Sequence, residues 1–369
     1  VTKHKFEAID TPATLIREAI LVRNITDMSQ FARQIGINLR PHIKTHKIPR
    51  LARIQVNQGA VGIAVSKIDE AKAMIDGGIK DVLIADPFIG QGKISRVLKL
   101  SERAEITVTA DSPEGIKVLG RGARDKGETL KVLLAVDCGF KGFGILPGED
   151  VFTLARSVQE EEGLEFAGLM THAGHSQGAK NPEQVQEIGK KEGQVLAQLA
   201  ESLKNNGLSC PRVSAGSTPT AKVAGMVKGV TEIRPGNYVF NDLAQVSLGV
   251  AMEEDCALTV LTRVVSRPAA DRCVIDAGSK TLSLDRGATG ETVFSGFGKV
   301  KGHPEVVVSR LEEEHAILSI PPESEIKIGD LIEIIPNHAG QVMNLAGTVH
   351  VIRNEEPWEE WEISAVGSK

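Results

Sequence analysis

Arg40-Pro41-His42-Ile43-Lys44-Thr45-His46-Lys47 ends the first of a series of short apolar runs that alternate with helix-patterned segments from Leu39 to about Pro235. The candidate strands are Leu39–Lys44, Val61–Val65, Val82–Ala85, Glu105–Thr109, Val132–Asp137, Phe166–Thr171, Arg212–Ala215 and Glu232–Arg234. Between them lie segments of helical period such as Ile68–Asp76, Gly115–Asp125, Val151–Glu160 and Pro182–Asn205. Eight strand-helix units in series predict an α/β fold, a parallel (β/α)8 barrel. A doubly wound open sheet is the alternative, but it lacks the glycine-rich turn expected after its first strand. In a barrel, Lys44 stands at a strand's carboxyl end and faces the mouth, where a buried amine can lose its proton and form a Schiff base. The other reading is a basic loop between strand and helix.

Working outward, Thr14–Arg17 reads as a lead-in strand and Ala19–Ile35 as a helix. After Asp242 the texture changes. Leu258–Val265, Arg272–Ile275, Ala316–Ile320, Leu331–Ile335 and Thr348–Ile352 are β-rich, with no long helical pattern between them. A C-terminal all-β domain is therefore expected over 245–369, after a barrel domain over 1–244 that includes the lead-in. The acidic run Glu355–Glu362 reads as a final surface element.

Composition narrows the function classes. Net charge is -5, with no basic face or tail, which argues against nucleic acid as the main ligand. No apolar run approaches a membrane span, and Val1-Thr2-Lys3-His4-Lys5 lacks the apolar core of a signal peptide, so a cytoplasmic protein is expected. The four cysteines have no C-x-x-C spacing, and free buried thiols are expected.

Barrel enzymes often bind phosphate in the loops after strands seven and eight. Here the seventh strand ends in Ala215-Gly216-Ser217-Thr218-Pro219-Thr220 and the eighth in Arg234-Pro235-Gly236-Asn237-Tyr238. Small residues let backbone approach an anion, hydroxyls donate, and a following helix adds a favourable dipole. Each alone is an ordinary turn or cap. Together, facing Lys44, they point to a phosphate-bearing aldehyde, and pyridoxal 5′-phosphate satisfies both requirements.

Further segments carry a family likeness: Thr11-Pro12, THAGH at 171–175, GSTPT at 216–220, EIRPGNYVFND at 232–242, EEDCAL at 253–258, DAGSKTLSLDRGA at 276–288, EEH at 313–315 and IPNHA at 335–339. With the octapeptide, they resemble in order the fold-type III pyridoxal phosphate enzymes of the D-serine dehydratase and D-threonine aldolase family, related to the alanine racemase barrel. The resemblance makes Lys44 the Schiff-base lysine. It places Ser217, Thr218, Gly236 and Asn237 at the phosphate, with Arg234 and Tyr238 of the same turn counted among the cofactor-binding residues. His172 and His175, after the sixth strand, are candidates for stacking, substrate binding or proton exchange; a strand-end hydrogen bond is the plainer role for each. His46 supports the loop.

Three departures from the family qualify this. Relatives place a histidine and, two residues on, a cysteine or aspartate on a divalent zinc or manganese. Here His338 is the metal candidate and Gly340 has no side chain to donate, which leaves water, cofactor-bound substrate or His315 to complete the site. Related barrels carry an arginine in D-x-G-x-x-R-x-G after the fifth strand, where this chain has Gly142 beside Lys141. Alanine racemases take a second base, a tyrosine, from the β-domain, whereas the single tyrosine here is Tyr238, next to the phosphate loop.

The resemblance thus implies a lyase acting on a D-configured β-hydroxy amino acid as small-molecule substrate, by dehydration or retro-aldol cleavage, in a homodimer with shared active sites. A racemase or epimerase is the second reading. A cofactor carrier with little turnover is the third, and the long β-domain argues against it.

Overall fold

The computed structural model describes residues 5–287 and 293–368. Ala288, the last residue of the DAGSKTLSLDRGA segment, and Val1–His4 of the stretch read for a signal peptide lie outside the described residues. The chain forms two compact units, one of Asp27–Gly236 with Gly367–Lys369, the other of Val1–Thr26 with Asn237–Val366. Among the described residues no helix is long and apolar enough to cross a membrane.

The first unit is the barrel. Its parallel strands are, in chain order, Asn38–Leu39, Ile63–Val65, Asp81–Ile84, Glu105–Ala110, Leu130–Val136, Leu164–Thr171, Arg212–Ala215 and Glu232–Ile233. The ladder runs first, eighth, seventh and so down to the second. It closes between first and second through a parallel bridge of His42 with Ala64 and the bonds Val61 N to Leu39 O and Ala64 N to Pro41 O. The first strand is shorter than expected. Pro41 has no N–H to add to a ladder, and the chain then winds into a single 3-10 turn, Ile43–Thr45.

Alternation along the strands separates two cores. Ala64, Leu83, Ala85, Leu133, Ala135 and Met170 cluster inside the barrel. Ile63, Val65, Val82, Ile84, Val132 and Leu134 face outward onto the helices. Small inner residues leave room for charge at the strand starts. There Arg40 bonds Glu232 at 2.8 Å and Asp81 at 2.6 Å, with Arg40 and Glu232 both 1% exposed. A charge pair this deep is kept by having every partner in place, and at the strand starts it serves stability more than chemistry.

The outer helices follow local signals. Ile68–Asp76 and Pro182–Asn205 have the expected bounds, and Pro113–Arg124 and Glu149–Glu160 begin within a turn of theirs. Pro113 and Pro182 stand at helix starts behind Ser112 and Asn181, whose side chains accept from Gly115 N and Gln184 N. Two further helices, Pro49–Asn57 and Gln91–Ser101, were not singled out in the sequence.

The second unit is a nine-stranded sheet in the order Arg272–Ile275, Ala316–Ser319, Val307–Leu311, Lys299–Val300, Leu331–Ile335, Leu258–Ala269, Ala13–Arg17, Thr348–Arg353 and Glu356–Glu362. Here the structure differs from the linear division at 244. The lead-in strand Ala13–Arg17 lies between Leu258–Ala269, antiparallel, and Thr348–Arg353, parallel. All five of its residues are buried, and Arg17 pairs with Glu333 at 2.7 Å. An apolar strand needing cover on both faces joins the sheet that supplies it. The chain passes from one unit to the other at Gly236/Asn237. The acidic run becomes the edge strand Glu356–Glu362.

Candidate active site

The strand-end loops of the barrel carry the candidate residues. Lys44 occupies the middle of the Ile43–Thr45 turn and not the end of a strand, and its side chain is exposed and not buried as expected. Its backbone N–H donates to His42 Nδ1 at 3.3 Å. That bond fixes a tautomer. Burial holds the His42 imidazole well below its usual pKa, helped by the Lys44, His172 and Arg234 charges, so the ring is neutral at pH 7. With Nδ1 accepting, the proton is assigned to Nε2, which faces Ser66 Oγ at 3.5 Å. His46 is fully buried, its Nδ1 accepting from Ile48 N at 3.0 Å and its Nε2 meeting Gln55 Oε1 at 3.2 Å. It supports the turn.

His172 follows the sixth strand. Burial, then Lys44, Arg234 and His175, push its pKa down to about 3. Phe140 stands edge-on to its ring, with centroids 5.8 Å apart at 84°. His175 lies one residue into a short 3-10 segment, and its buried Nδ1 has no hydrogen-bond partner. A Cβ on Gly139 would sit 3.7 Å from that ring. The loop holding Gly142 and Lys141 therefore packs on the histidine loop through Gly139 and Phe140. Asp137 cinches it by accepting from Gly139 N and Lys141 N.

The loops after strands seven and eight meet as expected. Gly236 N donates to Thr218 Oγ1 at 3.2 Å, and a Cβ on Gly236 would fall 2.8 Å from His42 O and 3.3 Å from Thr45 Oγ1. Only a glycine lets the eighth strand's end pass this close to the Lys44 turn. Ser217 N donates to Thr220 Oγ1 at 3.0 Å, and its hydroxyl lies 3.4 Å from Ser176 Oγ. Arg234 is buried and turned into the barrel, donating to Ser214 Oγ at 2.5 Å and to Thr171 O. Its charge reaches His42 and His172. Lys44, His172, His175, Arg234, Ser217, Thr218 and Gly236 thus gather at one end of one unit.

Two residues here were missed in the sequence. Asp86, after the third strand, has its carboxyl raised by burial, an effect opposed by the Lys44 charge and a Ser66 hydrogen bond. Glu192 reaches the loops from the helix Pro182–Asn205. Neither belongs to a recognisable motif. The one available signal was the glycine pair Gly189 and Gly193 around Glu192, odd in a helix interior.

Asn237, Tyr238 and His338 belong to the other unit. Asn237 and Tyr238 open it in a 3-10 turn, Asn237–Val239, with Asn237 Nδ2 on Asp242 Oδ2 at 2.6 Å and Tyr238 only 3% exposed. Tyr238, expected on the barrel side of the boundary, falls in the other unit because the chain leaves the barrel unit at Gly236. His338 precedes the helix Ala339–Leu345 and meets Asp285 Oδ2 through Nδ1 at 2.9 Å. Among the described residues no group of three or more His, Cys, Asp or Glu side chains could hold a metal ion. His338 with Asp285 and a glycine at 340 does not fit a divalent metal centre, which needs three or four ligands.

The barrel residues do fit a phosphate-bearing aldehyde. Small-residue loops meet where a Cβ could not, an amine's charge reaches two neutral imidazoles, and His175 Nδ1 is left without a partner. Comparison with known proteins agrees. Residues 16–243 match the family of the alanine racemase N-terminal domain and residues 257–352 the putative serine dehydratase domain. The chain is 34% identical to the D-threo-3-hydroxyaspartate dehydratase of Delftia sp., over 90% of this chain and 91% of that one. It is 30% identical to the D-serine dehydratase of Dictyostelium discoideum, over 94% of each. The crystal structure of D-threonine aldolase from Filomicrobium marinum superposes with a TM-score of 0.90 at 30% identity, covering 98% of this chain and 96% of that one. Fold and comparisons define the class, the fold-type III barrel enzymes. Within it, the chain belongs to the branch in which an alanine racemase N-terminal domain is joined to a serine dehydratase domain.

Proposed function

We propose that this chain is a pyridoxal 5′-phosphate-dependent lyase acting on a D-configured β-hydroxy amino acid. The observation that carries the reading is the position of Lys44, whose charge reaches both neutral His42 and neutral His172, at the end of the barrel where the Gly216–Thr220 and Gly236 loops meet. Its relatives named as dehydratases and aldolases act on such substrates.

Lys44 would attach the cofactor, with Ser217, Thr218 and Gly236 at its phosphate and Asn237 and Tyr238 continuing that turn. When bound, the cofactor supplies an electron sink for negative charge at the substrate α-carbon. The Lys44 amine holds and moves the proton at that carbon. His172, held neutral, offers the substrate a hydrogen bond without a second positive charge beside the lysine. A bound phosphate and a substrate carboxylate both raise its proton affinity, which suits it to exchanging a proton with the β-oxygen. His175, with a free Nδ1, can orient the same group. Loss of the β-hydroxyl as water leads to a 2-oxo acid and ammonia. Cleavage of the Cα–Cβ bond gives glycine and an aldehyde. We also propose a homodimer with shared active sites.

The test is proton NMR of products from D-threonine and D-serine in deuterated buffer, with manganese or with chelator. Glycine with acetaldehyde, or 2-oxo acid with ammonia, is expected in both conditions for the native chain and from neither substrate for Lys44→Ala. Recovery of intact substrate would replace the lyase with a racemase where its configuration is inverted, and with α-proton exchange alone where it is retained.

A further inference from the structure

Glu192 is 1% exposed, and among the described residues no arginine or lysine lies at hydrogen-bond distance from it. It is held instead by three donors from two loops. Oε1 accepts from Ala173 N at 3.2 Å and from Gly216 N at 2.9 Å, and Oε2 accepts from the Thr220 hydroxyl at 2.7 Å. Ala173 lies between His172 and His175, while Gly216 and Thr220 bracket Ser217 and Thr218. A single side chain thus ties the histidine loop to the loop read as the phosphate site.

Its reach depends on its neighbours. A Cβ on Gly189 would lie 3.1 Å from Val223 and 3.2 Å from the Thr220 Cβ, and one on Gly193 2.8 Å from Val227. These two glycines let the helix Pro182–Asn205 settle against the segment after the seventh strand, which brings Glu192 to the loop. Burying a carboxyl costs free energy unless its hydrogen bonds are complete. The helix, the glycines and the donors therefore make sense as one arrangement.

We infer that Glu192 is a positioning residue for the cofactor phosphate, setting the Gly216–Thr220 loop so that its donors converge on the anion. The inference rests on the pyridoxal phosphate reading above. With its hydroxyl committed to Glu192, Thr220 Oγ1 is an acceptor for Ser217 N, and this orders the turn before any ligand arrives. Glu192→Ala removes the acceptor from three groups at once. Glu192→Gln keeps one carbonyl oxygen for both amides and offers Thr220 a donor in place of an acceptor.

The experiment titrates cofactor-stripped full-length protein with pyridoxal 5′-phosphate and, separately, with pyridoxal, and compares the two dissociation constants. A role through the phosphate loop lowers the preference for the phosphorylated ligand by about tenfold in Glu192→Ala, the loss expected for hydrogen bonds to a charged group. Glu192→Gln stays within about threefold of the native ratio, one lost neutral bond being worth less. General loosening weakens both ligands alike, and an unchanged ratio in Glu192→Ala overturns the inference. Should that variant not fold, Thr220→Val, nearly equal in shape, takes its place with the same two outcomes. A native chain that binds neither ligand overturns the cofactor reading and the inference with it. Binding of both by the native chain leaves the variants to decide the inference alone.

Discussion

His46 and His172 share a suppressed proton affinity, each near pKa 3, yet one is held by two hydrogen bonds and the other is depressed further by the Lys44 and Arg234 charges. The sign of the consequence is the same for both. The unfolded chain binds a proton at each imidazole below its usual pKa of about 6.5, while the folded chain refuses it until about 3. Stability from these groups is complete above about pH 6.5 and declines as the pH falls toward 3. The ring Cε1–H resonances of both histidines are expected to stay fixed between pH 8 and 5 in the cofactor-free protein, and a midpoint near 6 for either would contradict the burial argument. At this scale the sequence was readable where chemistry writes motifs. Lys44, the histidines of THAGH and the Ser217-Thr218 loop stand out because unusual residue types are crowded together. Glu192 and Asp86 do not, since a glutamate in a long helix and an aspartate before a proline are ordinary until the fold brings them to the loops.

Among the barrel strands, the sixth carries an irregularity in its pairing. Its register with the fifth shifts between Val132/Phe166 and Leu133/Gly168, a one-residue bulge that turns Gly168 to φ 131. A Cβ there would lie 2.0 Å from Arg212 O, inside the seventh strand. Backbone cannot give way as a side chain does, so Gly168→Ala should cost on the order of 2–4 kcal/mol, combining strain with overpacking. Urea denaturation would show it as a lower midpoint, and a midpoint equal to the native one would mean that the strand re-registers. Periodicity and capping signals were enough to place the helices Ile68–Asp76 and Pro182–Asn205. They could not reveal this bulge, which depends on the two neighbouring strands, nor the early end of the first strand, where Pro41 outweighs the apolar pattern.

For the whole molecule, the ordering of the chain misled more than its composition. The strand Ala13–Arg17 joins Leu258–Ala269 and Thr348–Arg353, a pairing across more than two hundred residues that no local pattern announces. The alternation of strands and helices, being local, gave the barrel directly. The proposed dimer belongs to this scale too. Sedimentation equilibrium is expected to return twice the mass of one chain, and a single-chain mass at every concentration would remove the dimer. The sheet ends in Glu356–Glu362, a strand paired on one side only, with glutamates at 356, 359, 360 and 362. An open edge invites other chains to extend it, and negative charge is what discourages them. That safeguard is ionic, and concentrated salt weakens it without loosening the fold. The protein's solubility and its stability therefore answer to different conditions, and self-association can begin from molecules that are still native.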